Sequence, residues 1–108
     1  MHLESDIFKL VKNGSKDVEI RLNDEKRKKL NIGDNITFCD RNNTSDIVNA
    51  TIVDLKHFDS FKVLIDSYDI KRLCNCNKRE LLSLLHKFYS VDDEANMGVV
   101  GIEFKLLD

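Results

Sequence analysis

Early in the chain, apolar residues fall at helical intervals. Ile7, Leu10 and Val11 mark residues 5–13, and the pattern stops at Asn13-Gly14, where glycine suits the left-handed end of a helix. The period then changes from about four to two. Across residues 16–22, Val18, Ile20 and Leu22 alternate with Asp17, Glu19 and Arg21, as in a strand whose successive side chains leave opposite faces. One face can be buried, and the other presents a fixed row of charges. Such a row is either the solvated outside of a sheet or the wall of a polar cleft.

Further along, Asn23 is placed to cap a short helix running to Leu30, with Asp24 and Glu25 in its first turn and Lys28 and Lys29 in its last. That order complements the helix dipole. Asn31 to Asp34 reads as a turn into a strand from Asn35 to Cys39, and Asp40 to Asp46 reads as a polar loop. Ile47 to His57 predicts a long strand on Val48, Ala50, Ile52 and, less regularly, Leu55. Ser60 can cap a short helix carrying Phe61, Leu64 and Ile65. Glu80 to Tyr89 gives the clearest helix, with Leu81, Leu85 and Phe88 on one stripe. The last strand spans Gly98 to Leu106, with Val100, Ile102 and Phe104 on one face. Four or five strands interrupted by short helices predict a small α+β barrel, since doubly wound sheets need more regular alternation.

Composition narrows the picture. A chain of 108 residues with 42% hydrophobic and 33% charged side chains suits one globular domain, residues 1–108, with a modest core. No proline, repeat or low-complexity stretch marks a linker. No apolar run nears the roughly 20 residues of a membrane span, and the start lacks a signal-peptide pattern, so the expected location is the cytoplasm. The net charge is −2, from 17 basic and 19 acidic side chains, which argues against strong non-specific binding to duplexes. Its distribution is uneven. Lys9, Lys12, Lys16, Arg21 and Lys26-Arg27-Lys28-Lys29 come early, and Asp92-Asp93-Glu94 come late. The basic run can also be the solvated end of a helix.

Three cysteines do not make a disulfide framework. Cys74-Asn75-Cys76 with His86 falls short of zinc spacing and lacks a fourth ligand, so a tight loop with two thiols is the better reading, and no cofactor is expected. No Ser-His-Asp order, phosphate-cradling loop or HExxH motif is present.

The turns carry a more specific signal. Gly14-x-Lys16-x-x-Glu19-x-Arg21-Leu22 is followed by Asp24-Glu25-Lys26-Arg27, then by Ile32-Gly33-Asp34-x-Ile36-x-Phe38. Phe58-x-Ser60-Phe61, Tyr89 and Gly98-Val99-Val100-Gly101-Ile102 come later in the same order. Over nearly the whole chain this resembles the ASCH domain, a branch of the PUA-like fold. The resemblance implies a curved β-barrel of about five to six strands flanked by short helices, with a cleft between sheet and helices. It also implies binding of RNA or a modified nucleoside. Some small bacterial members are amidohydrolases that deacetylate acetylcytidine, and some have been described as ribonucleases. Lys16 and Arg21 match cleft positions. Glu19 matches the broad family, whereas the amidohydrolase branch has a hydroxyl residue there.

The candidate ligand-binding set is therefore Lys12, Lys16, Glu19, Arg21, Lys26, Arg27 and Tyr89, with Lys16 and Glu19 as the catalytic pair if the protein is an enzyme. Arg21 offers a planar fork for a phosphate or a base edge, or else pairs with Asp17 or Glu19. Lys16 recognises an anion or carbonyl, or else pairs with Glu19 for structure. Glu19 can accept from the amine of a base, and Tyr89 or Phe58 can stack on one. The expected partner is RNA or a nucleoside-like ligand, and no membrane.

Overall fold

The structure, a computed structural model, describes residues 1–107. Its elements are β1 (His2–Leu3), α1 (Ser5–Lys12), β2 (Val18–Leu22), β3 (Asn35–Asp40), β4 (Asn43–Phe58), α2 (Phe61–Asp66), α3 (Lys78–Phe88), α4 (Val91–Met97) and β5 (Val99–Leu106). Single 3-10 turns lie at Arg27–Lys29 and Ile70–Arg72. The strands form one mixed sheet in the order β1-β3-β4-β5-β2, with β1 parallel to β3 and every other pair antiparallel. The sheet curls into a half-barrel flanked by helices, the α+β small-barrel class read from the sequence.

The long β4 makes the curl. Its first half pairs with β3 and its second half with β5. The register shifts between Ile52 and Asp54, so Val53 is an extra residue that bends the strand and reverses its parity. Ala50 and Ile52 face inward before it, and Leu55, opposite Ile102, does so after it. This explains why Leu55 sits off the alternation of the earlier residues.

Two apolar clusters lie on the two faces. Inside the curl, Phe8 and Val11 of α1 pack with Leu3, Ile36, Phe38, Ala50, Ile52, Val100, Ile102 and Phe104, drawing on four strands. On the outside, Val18, Ile20, Leu22 and Val99 are covered by Phe61, Leu64 and Ile65 of α2 and by Leu81 and Leu85 of α3. Gly14, with φ +85°, ends α1 as its position suggested, and the Ser60 hydroxyl caps α2.

Some local expectations fail for physical reasons. Asn23 to Leu30 holds only a 3-10 turn, and Asp24 rather than Asn23 accepts its backbone N–H, from Arg27 at 3.0 Å. That segment has no apolar stripe to bury, and short helices depend on tertiary packing. The loop from Asp40 to Asp46 shrinks to Arg41 and Asn42, because β4 already pairs at Asn43; exposed polar side chains hide a strand held by its backbone ladder. Helix α3 starts at Lys78, set by an Asn77–Glu80 capping box. The acidic run Asp92-Asp93-Glu94 forms the first turn of α4, capped by Ser90.

On the outer face, the hydroxyl end of the Tyr68 ring packs against Gly101. Its hydroxyl donates to Glu103 Oε2 at 2.8 Å, and its ring lies 5.6 Å from the Lys56 ammonium and 5.3 Å from the Arg72 guanidinium. A methyl at position 101 would meet the Tyr68 hydroxyl at 3.0 Å and Cε2 at 3.2 Å. Gly101→Ala is expected to destabilise the fold by about 1–3 kcal/mol through overpacking. In a double-mutant cycle by chemical denaturation, Tyr68→Phe should recover part of that loss; additive effects would contradict the contact.

Candidate functional site

The half-barrel leaves a seam between its two edge strands, β1 and β2. Strand parity fixes what faces that seam. Glu19 and Arg21 lie opposite Ile102 and Val100 in β5, and cross-strand neighbours share a face. The charged row of β2 therefore points to the inner side of the curl, and Val18, Ile20 and Leu22 point to the outer core.

Lys16 stands at the entry to this strand and is 4% exposed. Its Nζ donates to the carbonyls of Val18 at 2.6 Å and Leu73 at 2.8 Å, and lies 3.5 Å from Glu19 Oε1. Three acceptors suit the three N–H groups of an ammonium and leave no lone pair directed at a substrate. Lys16 supports Glu19 from behind and is not among the residues lining the cleft.

Glu19 is 6% exposed. Its Oε1 accepts from the Ile20 N–H at 3.0 Å, and its Oε2 accepts from Arg21 Nη2 at 3.3 Å. Burial alone would raise the carboxyl pKa. The charges of Lys16 and Arg21, with the hydrogen bonds from Ile20 and Arg21, outweigh burial and hold it below the ordinary carboxylate value. Arg21 continues the chain. Its Nη2 also reaches across the seam to the His2 carbonyl at 3.5 Å, and its side chain is 19% exposed.

The guanidinium of Arg21 opens onto a cleft of about 350 Å³, lined by His2, Leu3, Glu4 and Ile7 on one side, Glu19, Ile20 and Arg21 on the floor, Arg41 at the rim, and Leu84, Leu85, Phe88 and Tyr89 opposite. That size lies within the range of small-molecule sites. Tyr89 packs on Phe61, with ring centroids 5.4 Å apart, and still reaches the cleft. Phe58 packs edge-on against Tyr68 away from it.

The structure thus brings Glu19, Arg21 and Tyr89 together, with Lys16 behind them. The other sequence candidates lie elsewhere. Lys12 pairs with Asp46 at 2.9 Å on the surface. Arg27 is tied to Asp24 at 3.2 Å, and it shares a separate groove with Lys26 and Met97. Asp17 pairs with Arg72 at 2.8 Å and not with Arg21. His2, Glu4, Arg41 and Phe88 line the cleft without having been singled out for it. For Arg41 no local signal exists, since only the pairing of β1 with β3 brings its turn beside Leu3.

Cys74 and Cys76 form a tight loop in which the Cys76 N–H lies 3.3 Å from Cys74 Sγ. Burial, then the hydrogen bond with Cys74, push the Cys76 thiol up to about 12, which disfavours the thiolate that metals require. His86 instead meets Glu94 at 2.9 Å. Among the described residues no three His, Cys, Asp or Glu side chains gather as a metal site, and no helix is long and apolar enough to cross a membrane.

The depressed carboxyl of Glu19 links this site to acid stability. Because its folded pKa lies below its unfolded one, its contribution is present above the ordinary value of 4.5 and is lost as pH falls toward the folded value. Glu19→Gln should cost about 3 kcal/mol at neutral pH, at the low end for breaking a buried pair because two carbonyls still hold Lys16. Melting curves should show the gap between wild type and variant closing as pH is lowered below about 4.5. A gap constant with pH would contradict the ion-pair account.

Comparison with known proteins agrees with this geometry. A family model for the ASCH domain matches residues 1–108. The crystal structure of the hypothetical protein PH0355 superposes with a TM-score of 0.85 at 27% identity, covering 99% of this chain and 96% of that one. The solution structure of protein PF0455 from Pyrococcus furiosus gives 0.76 at 24% identity, over 100% of this chain and 96% of that one, a likeness of fold alone. No curated protein matches. With the family model spanning its length and the Gly14-x-Lys16-x-x-Glu19-x-Arg21 segment at the open seam of a PUA-like half-barrel, the chain belongs to the ASCH domain family.

Proposed function

We propose that the seam cleft binds single-stranded RNA or a modified nucleoside, with Arg21 as the principal recognition group. The observation that carries this reading is the presentation of Arg21: a guanidinium oriented by a buried carboxylate, at the floor of a cleft with an aromatic wall. An oriented fork can hold a phosphate or a base edge through two hydrogen bonds at little further ordering cost. The Glu19 carboxylate beside it can accept from an exocyclic amine, and Tyr89 supplies an aromatic edge. Access to a base edge or face requires an unpaired base. The reading calls for no cofactor, and treats residues 1–108 as a self-contained binding domain.

Hydrolysis of an acylated cytidine would ask more of the same residues. Lys16 would need a free lone pair, but its Nζ faces two carbonyls and a carboxylate. Glu19 as a general base would work best with its pKa raised toward neutrality, whereas its neighbours lower it. Chromatography after incubation with acetylcytidine checks this point. The binding reading expects intact nucleoside, and release of cytidine would replace it with the hydrolase reading.

Two outcomes test the binding reading. Affinity for a single-stranded RNA should exceed that for duplex DNA of the same length at moderate salt; equal affinities would contradict the proposal. Arg21→Ala should weaken binding about ten- to a hundredfold, the loss of a charge-assisted hydrogen bond. Its fold should persist, because Glu19 keeps Lys16 and the Ile20 N–H. Arg21→Lys should restore little, since an ammonium lacks the fork. Unchanged affinity in Arg21→Ala would make the charged row purely structural.

A further inference from the structure

Phe88 breaks the pattern of its own helix. Leu81, Leu85 and Phe88 form one stripe, and the first two are buried at 6% and 8% exposure, yet Phe88 is 64% exposed. It lies at the last residue of α3, where the stripe runs past the outer core and overhangs the cleft. Leu84, 40% exposed, extends the same wall. An aromatic ring in that position does little for the core. Across the cleft stands Arg41, in the two-residue turn between β3 and β4. Its Nη1 pairs with Glu4 Oε1 at 2.6 Å, and both side chains are more than half exposed. Such a surface pair is weak, and the rest of the guanidinium fork remains available for an anion.

We infer that Phe88 is the stacking platform of the cleft and Arg41 its phosphate clamp, so that the ligand is a single unpaired base carrying a phosphate. This deepens the binding reading above and rests on it. The chemistry divides the cleft in two. The apolar wall of Leu84 and Phe88 offers a face on which a base can lie, since base–aromatic stacking tolerates any sequence. The opposite rim supplies a cation matched to a phosphate, whose geometry suits the planar fork. Glu19 and Glu4, the two carboxylates of the cleft, are already engaged by Arg21 and Arg41, so an incoming anion meets guanidinium groups whose partners it can share. A bare nucleoside would use the stack and forgo the clamp. A paired base could not reach the ring at all.

Calorimetric titration of the full chain tests this with three sets of probes: the four common nucleosides, their monophosphates, and a short single-stranded RNA of mixed sequence. Free monophosphates and RNA carry the same base-plus-phosphate chemistry, and their separate titrations show which source the cleft prefers. Phe88→Ala should weaken binding of monophosphates and RNA about tenfold, as for removal of one stacking partner, and Phe88→Trp should restore it. Arg41→Ala should weaken the monophosphates and leave the nucleosides unchanged. Melting temperatures should not move in either variant, because both side chains are exposed. If Phe88→Ala binds like wild type while Arg21→Ala does not, the platform is overturned and the binding reading stands. If wild type binds none of the probes, both fall. If Phe88→Ala instead dissolves a dimer seen by sedimentation and leaves binding intact, the ring belongs to a self-association patch and the inference is wrong.

Discussion

The buried ammonium of Lys16 is the contact on which the site depends. Its three acceptors join two distant pieces of chain: strand β2, through the carbonyl of Val18 and the carboxylate of Glu19, and the carbonyl of Leu73 beyond the second 3-10 turn. Removing a charge from water costs several kcal/mol, and a buried ion is tolerated only where acceptors satisfy it. Here all three do. In turn, Lys16 makes a buried anion possible at Glu19, and that anion orients Arg21. Each charge is intelligible only through its neighbour.

An open barrel creates the need for such a chain. The two ends of the sheet present backbone groups without strand partners, a known liability of edge strands. In β2 the odd-numbered residues turn their backbone toward β5, as the Phe104 N–H to Asp17 carbonyl and Asn23 N–H to Gly98 carbonyl bonds show. Even-numbered residues therefore turn theirs to the free edge. The side chains of the polar row serve that edge: Glu19 accepts from the Ile20 N–H, Lys16 donates to the Val18 carbonyl, and Arg21 spans to the His2 carbonyl of the opposite edge. The same groups that finish the sheet give the cleft its charge. On the proposed binding reading, structure and recognition are two uses of one ionic chain.

Much of the fold is legible in the residues because the apolar periods are clean. The alternation of Val18, Ile20 and Leu22 gave β2 its two faces, and Val100, Ile102 and Phe104 did the same for β5. Legibility failed where local pattern carries no information. Whether Glu19 and Arg21 face water or the inside of a curl depends on β2 pairing with β5 at the end of a bent sheet. The pairing of Lys16 with Glu19 is open to view in the sequence, but its full engagement is not, since its carbonyl partner at Leu73 is 57 residues away. The basic run at Lys26-Arg27-Lys28-Lys29 is the densest charge in the chain, yet Lys26, Arg27 and Lys28 line a different groove. Phe88 satisfies the helical period of a core residue and escapes burial because the core ends one turn before it. Periodicity reports which way a side chain points along its own element, and only the packing of elements decides what it meets.

The proposed ligand site is the seam between β1 and β2, in preference to the basic surface near residues 26–29. Backbone amide shifts recorded by NMR during titration with a short single-stranded RNA address it directly. Saturable shifts are expected at His2, Ile20, Arg21 and Tyr89, with those of Lys26, Arg27 and Lys28 small. Shifts centred on Lys26, Arg27 and Lys28 while the seam amides stay in place would contradict this assignment.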